Sequence, residues 1–219
     1  MVFKKKNLII SFMIIVIVGL LLCIGALKQK QSDRTIVLIV NNYPVNQICY
    51  DYYFYSYYNS YMKNYSLLMD YMEIDPNEDI MIQKYDEDRT FKEYFDDCAK
   101  DQIIKIQALK DDGIKNGFIY DAQKEYDDYL EQVSNSLNGK TSSINKYFKT
   151  FFGPLANKDN VMEYMVDGYY AMGYYKELLL ETMSKYPASL DENEKKSRAI
   201  DEVAEYVNEL KEEYEITYR

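Results

Sequence analysis

The sequence predicts a mostly α-helical domain, closed by a small pairing of terminal β-strands and preceded by one transmembrane helix. Three observations predict it. Residues 7–27 (NLIISFMIIVIVGLLLCIGAL) form one uncharged apolar run. Downstream, apolar residues recur at i, i+3 and i+4 in segments bounded by capping residues. Two short β-branched stretches, 35–40 (TIVLIV) and 214–218 (YEITY), flank those segments.

The apolar run matches the hydrocarbon thickness of a bilayer, which takes about 20 residues at ~1.5 Å per residue. Lys4, Lys5 and Lys6 precede it and Lys28, Lys30 and Arg34 follow. The leading lysines favour a cytoplasmic stub at 1–6, an anchor at 7–27 in the lipid bilayer, and an extracytoplasmic domain at 35–219 of a single-pass cell-membrane protein. Two alternatives stay open. A cleaved signal peptide has a shorter apolar core ending in small residues, and Ile24-Gly25-Ala26 matches that site poorly. A lipidated Cys23 needs a small residue before it, where Leu22 stands.

All 36 acidic residues lie beyond residue 31, together with 21 of the 26 basic ones, so the chain beyond residue 31 carries a net −15. A phosphate-binding face needs clustered Lys and Arg, so this balance excludes nucleic acid as a partner. The chain has no His. That removes the common general base, the commonest metal ligand, and every Ser-His or Cys-His nucleophile. With no metal or cofactor constellation either, the expectation is a non-enzyme. Cys49 and Cys98, the only cysteines outside the anchor, are either two buried thiols or one bridge. Abundant Tyr, Lys, Asn and Ile with few Gly and Pro suggest an AT-rich bacterial genome.

The elements follow in order. Residues 35–40 read as a strand. Asn41-Asn42-Tyr43-Pro44 reads as a turn, with Asn tolerant of left-handed backbone and Pro44 ending the strand. Asn46 caps a helix over 47–72. That helix carries one stripe of Tyr50, Phe54, Tyr57, Tyr61, Leu68 and Met72 and a second of Ile48, Tyr52, Tyr55, Met62 and Met69. Two apolar stripes predict one face packed on the domain and another facing a partner. Residues 73–89 read as an acidic loop. Thr90 and Glu93 form a capping box for a helix to 112, with Phe91, Tyr94, Phe95, Cys98, Ile103, Ile106 and Leu109 inward and Gly113 as its stop. Helices follow over 121–137, 142–151 and 159–184, the last capped by Asp159. Beyond Pro187, a second capping box, Ser189 with Glu192, opens a final helix with Ile200, Val203, Val207 and Leu210 inward. The 214–218 strand then returns to pair with 35–40.

These pieces together resemble the N-terminal chaperone domain of the SurA/PrsA-type foldases. The likeness lies in Val40-Asn41-Asn42-Tyr43-Pro44-Val45, which stands where the family has a Val-Asn-Gly-type turn, with Asn42 in the Gly position. The segment 108–114 (ALKDDGI) and the Phe152-Gly153 step are similar to later family motifs. The resemblance spans about 35–181, with the last helix and strand matching the family's returning C-terminal segment. It implies chaperone activity on unfolded or exported polypeptides. Family members often insert a parvulin-type prolyl isomerase domain before the last helix; residues 184–194 leave no room for one, and its histidines are absent. The implied role is therefore holding without isomerase chemistry.

Other acidic groups carry less. Asp75, Asn77 and Asp79 resemble the start of a calcium loop, but Ile80 stands where Gly is required and Asp86 where Glu closes the loop. The clusters Asp86-Glu87-Asp88 and Asp191-Glu192 read as solvated carboxylates at helix starts rather than acid–base pairs. The predicted client-binding residues are Tyr50, Tyr53, Phe54, Tyr57, Tyr58, Tyr61 and Tyr65, because Tyr offers large contact area with a polar tip and neighbouring Met adapts to varied partners. The same face equally suits a structural role, docking one dedicated envelope protein.

Overall fold

A computed structural model describes residues 35–63 and 74–218. Six α-helices and a three-stranded sheet make up the described residues. None of these helices is long and apolar enough to cross a membrane; the predicted span 7–27 lies outside the described residues.

Strand β1 (Ile36–Val40) turns through Asn41-Asn42 into β2 (Tyr43–Asn46). Asn41 takes φ 50°, the left-handed conformation that Asn tolerates. Val40 pairs with Tyr43 and Ile39 with Pro44, so Pro44 does not end the strand as expected. It sits in a second strand, and the order β2-β1-β3 makes that strand an edge, where a missing N–H does no harm. Strand β3 (Ile216–Tyr218) pairs antiparallel with the other side of β1, matching Leu38 to Tyr218 and Val40 to Ile216. The two terminal segments therefore meet, as their patterning predicts. Asn41 locks the join: its N–H donates to the Glu215 carbonyl at 2.9 Å and its Oδ1 accepts from the Glu215 N–H at 2.8 Å.

Helix α1 (Gln47–Lys63) starts where Asn46 Oδ1 accepts from the Cys49 N–H at 2.9 Å. A short 3₁₀ turn (Ile80–Ile82) buries Ile80 before helix α2 (Phe91–Lys115). Both halves of the Thr90–Glu93 capping box are formed. Helix α2 runs past Gly113, correcting the expected stop. A Cβ at Gly113 would lie 3.1 Å from the rings of both Tyr170 and Tyr174, so this glycine serves a close helix crossing rather than a helix end. Helices α3 (Ala122–Ser136), α4 (Thr141–Phe152), α5 (Met162–Ser184) and α6 (Glu192–Glu212) complete the fold. Helix α3 begins beside Asp121, near the expected start, and the Asp121 side chain caps it by accepting from the Lys124 N–H. Asp159 does not cap α5; it lies in a turn in which Asn157 Oδ1 accepts from the N–H groups of Asp159 and Asn160. Helix α6 is capped by Asp191, which accepts from Asn193 and Glu194, and not by Ser189. Ala199, Val203 and Val207 face inward on α6, while Ile200 is 40% exposed.

Helix α1 is sandwiched. On one side Phe54, Tyr58 and Tyr61 stack edge-on against Phe95 of α2, at centroid distances from 5.6 to 6.0 Å. On the other, Tyr52 meets Phe152 of α4 at 5.1 Å, and Asn59 Nδ2 donates to the carbonyls of Thr150 and Phe151. Gly153 makes this second contact close: its φ is 106°, and a Cβ there would come within 2.8 Å of the Tyr55 ring. The expectation that one stripe of α1 faces outward is thus corrected over 47–63, because α4 and α5 cover what α2 does not. Cys49 and Cys98 are both free thiols.

Candidate functional site

The predicted client-binding residues divide by position. Tyr53 and Phe54 belong to the core, 6% and 9% exposed, which corrects their place on an open surface. Tyr50, Tyr57, Tyr58 and Tyr61 are half-buried. Tyr50 Oη donates to Asp96 of α2 at 2.6 Å, and Tyr58 and Tyr61 join the Phe95 cluster. Tyr65 lies outside the described residues. Of the family-like turn, Val40 is fully buried, Asn41 and Asn42 are exposed at the hairpin tip, and Pro44 is exposed on β2.

Tyr53 and Tyr57 reach a groove that α1, α2 and α5 build together. One part, about 320 Å³, has Tyr52, Tyr53, Ser56 and Tyr57 of α1 on one wall and Gln102 and Ile106 of α2 on the other. A second part, about 150 Å³, continues along α2 and α5 between Leu109, Ala171, Met172 and Tyr175. Gln102, Ile106 and Gly168 line both parts, so the two are one continuous depression. Its floor is apolar, with Ile106 and Leu109 buried. Its rim is polar: Tyr57 Oη donates to Gln102 Oε1 at 3.0 Å, and Ser56 and Ser60 stand beside it. Burial pushes the Tyr53 and Tyr57 hydroxyls above their ordinary pKa, so both stay protonated donors at neutral pH.

Tyr53 and Tyr57 stand among the residues read as client-binding, whereas Gln102, Ile106, Gly168 and Met172 do not. No single stretch carries the groove, since its walls converge from three helices. In the sequence Gly168 is one of two glycines inside α5, with nothing beside it that marks it as groove floor.

A second depression lies between α5 and α6 and is rimmed by Glu181, Glu202, Glu205 and Glu209 around Leu178, Val203 and Tyr206. Beside it sits Asp112, 8% exposed, whose Oδ2 accepts from Tyr174 Oη at 2.8 Å and Tyr206 Oη at 2.7 Å. Asn116 Nδ2 donates to its other oxygen at 3.0 Å. This buried carboxylate is fully partnered and ties α2, α5 and α6 together. No group of three His, Cys, Asp or Glu residues among the described residues is arranged to hold a metal ion. Burial raises the pKa of both the Cys49 and Cys98 thiols, which keeps them protonated and poor nucleophiles.

No family model, curated protein or solved structure matches this chain. What the groove can do rests on its own chemistry. It offers an apolar floor for side chains and a rim of hydroxyl and amide groups for the backbone of a bound chain.

Proposed function

We propose that this protein is a membrane-anchored, extracytoplasmic holding protein for unfolded or exported polypeptides, acting without isomerase or other covalent chemistry. The observation that carries the reading is the α1–α2–α5 groove. An extended chain has alternating side chains and unpaired backbone N–H and C=O groups. Apolar floor and polar rim answer those two needs in turn. Tyr and Met walls suit varied occupants, since Tyr loses little entropy on contact and Met repacks. The uncharged 7–27 run and the resemblance to SurA/PrsA-type foldases support the same reading.

The full-length chain at a stoichiometric ratio should slow the aggregation of a chemically unfolded client. Unchanged aggregation kinetics would refute the holding role. It should leave the rate of prolyl isomerisation in a test peptide unaltered, and an accelerated rate would refute the non-enzymatic reading. Alkaline carbonate should leave the chain in the membrane pellet. A second reading, docking of one dedicated envelope partner, is favoured by the small size of the groove. Crosslinking in native membranes separates the two: a single dominant adduct supports the dedicated partner, and a spread of unrelated adducts supports holding.

A further inference from the structure

Three glycines lie inside helices α2 and α5, and they differ. Gly113 and Gly173 are required by packing: a Cβ would meet Tyr170 and Tyr174 at 3.1 Å in the first case and the Tyr120 ring at 3.0 Å in the second. At Gly168 a Cβ would meet only Ile106 Cδ1, at 3.8 Å, an ordinary van der Waals contact. Glycine in a helix interior is destabilising relative to alanine, so a position with room for a methyl group favours Ala on stability alone. Gly168 nevertheless stands there, on the floor shared by both parts of the groove. Its missing side chain deepens the groove at its centre.

A second observation concerns charge. The chain carries a net −10, yet among the described residues no acidic one lines the groove. Lys105 is the one charged lining residue among the described residues. Its Nζ lies 5.4 Å from the centre of the Tyr175 ring, and it forms no ion pair among the described residues. The lining from Gln102 to Leu109 spans about 10 Å at ~1.5 Å per residue, which matches about three residues of extended chain.

We propose that the groove takes an extended peptide segment carrying a large apolar side chain next to an aspartate or glutamate, with Gly168 setting the depth of the apolar subsite and Lys105 receiving the carboxylate. The inference rests on the polypeptide-holding reading and names the class of segment held. The apolar side chain enters over Gly168 against Ile106. The neighbouring acidic side chain reaches the ammonium above Tyr175, where the aromatic face already orients the cation. Elsewhere the acidic surface of the protein repels such a segment, so the lysine also fixes its register.

The test uses the full-length chain in mild detergent and fluorescence anisotropy with three labelled peptides. One is end-capped, with Leu beside Glu; one is its capped Gln counterpart; one is the Gln peptide with a free C-terminal carboxylate. The capped Glu peptide should bind about 3-fold more tightly than the capped Gln peptide, the size of a partly exposed ion pair. Lys105→Gln should erase that difference without altering the melting temperature. Gly168→Ala should raise the melting temperature while weakening both capped peptides, and Gly168→Leu, which fills the floor, should weaken them about 10-fold, a change equivalent to one large side chain shut out. Affinities unchanged in a stabilised Gly168→Ala variant would overturn the subsite. A Glu preference that survives Lys105→Gln would overturn the role of the lysine. Equal affinity for the free-terminus Gln peptide and the capped Glu peptide would assign Lys105 to chain ends instead of acidic side chains. A wild-type chain that slows client aggregation but binds none of the peptides refutes this inference alone; failure at both refutes the holding function too.

Discussion

The two halves of helix α2 are held by different physics. Near its N-terminus, Phe95 sits among rings from Phe54, Tyr58, Tyr61, Phe91 and Tyr94, all with centroids between 5.5 and 6.2 Å. Near its C-terminus, Asp112 gathers Tyr174, Tyr206 and Asn116 through directed hydrogen bonds. Ring packing is non-directional and tolerates a change of shape if volume is kept. A buried carboxylate tolerates nothing that removes its acceptors, since its partners are left unsatisfied. The first half can therefore adjust around α1, and the second fixes where α5 and α6 sit. The groove lies between these two regimes, with its α5 wall held in place by the polar end.

The comparison can be broken by substitution. Phe95→Ala should cost about 4 kcal/mol of unfolding free energy, through a cavity that five neighbouring rings cannot fill, read from urea denaturation. Asp112→Ala should cost about 3 kcal/mol, because the buried Tyr174 hydroxyl loses its charged acceptor. The contrast sharpens with leucine at each site: Phe95→Leu should recover most of the loss, to about 1 kcal/mol, while Asp112→Leu should stay as damaging as Ala. Equal recovery at both sites would dissolve the distinction. Tyr206→Phe should cost only about 1 kcal/mol, as Asp112 retains Tyr174 and Asn116.

The smallest effect is on alkaline stability. Burial, with Asp112 as hydrogen-bond partner, pushes the Tyr206 hydroxyl up to about 12. A raised folded-state pKa contributes stability that is fully present below the unfolded value near 10 and disappears as pH rises toward 12. Wild-type stability should therefore decline across that window, and Tyr206→Phe should flatten the decline. Tyrosinate absorbance followed alongside chemical denaturation checks both.

Much of the fold was legible because the signals were local. The Thr90–Glu93 box, the Asn46 cap and the β-branched ends each depend on residues a few positions apart, and each formed as read. Gly113 was misread for the opposite reason. Its ring contacts, Tyr170 and Tyr174, lie on another helix, so a glycine near the end of a periodic stretch looked like a stop. The outward stripe of α1 failed in the same way: Phe152 and Gly153, which cover it, are a hundred residues away. Asp112 looked like one more acid in an acidic chain, because nothing in its neighbours announces two tyrosines arriving from α5 and α6. The groove was half legible. Its α1 wall shows in the tyrosine spacing, and its floor shows only once three helices are placed.

The pairing of β1 with β3 has a consequence for how the chain is made. Hairpin partner β2 follows β1 immediately, but β3 is synthesised some 170 residues later, and at about 5–20 residues per second that delay is roughly 10–30 s. During it one edge of β1, with Ile39 among its residues, has no strand beside it. An open apolar edge of that kind invites pairing with other chains. The Asn41 clamp onto Glu215 closes only once Glu215 itself has been made. A protein read as a keeper of unfinished chains thus carries an unguarded strand of its own while all six of its described helices are made.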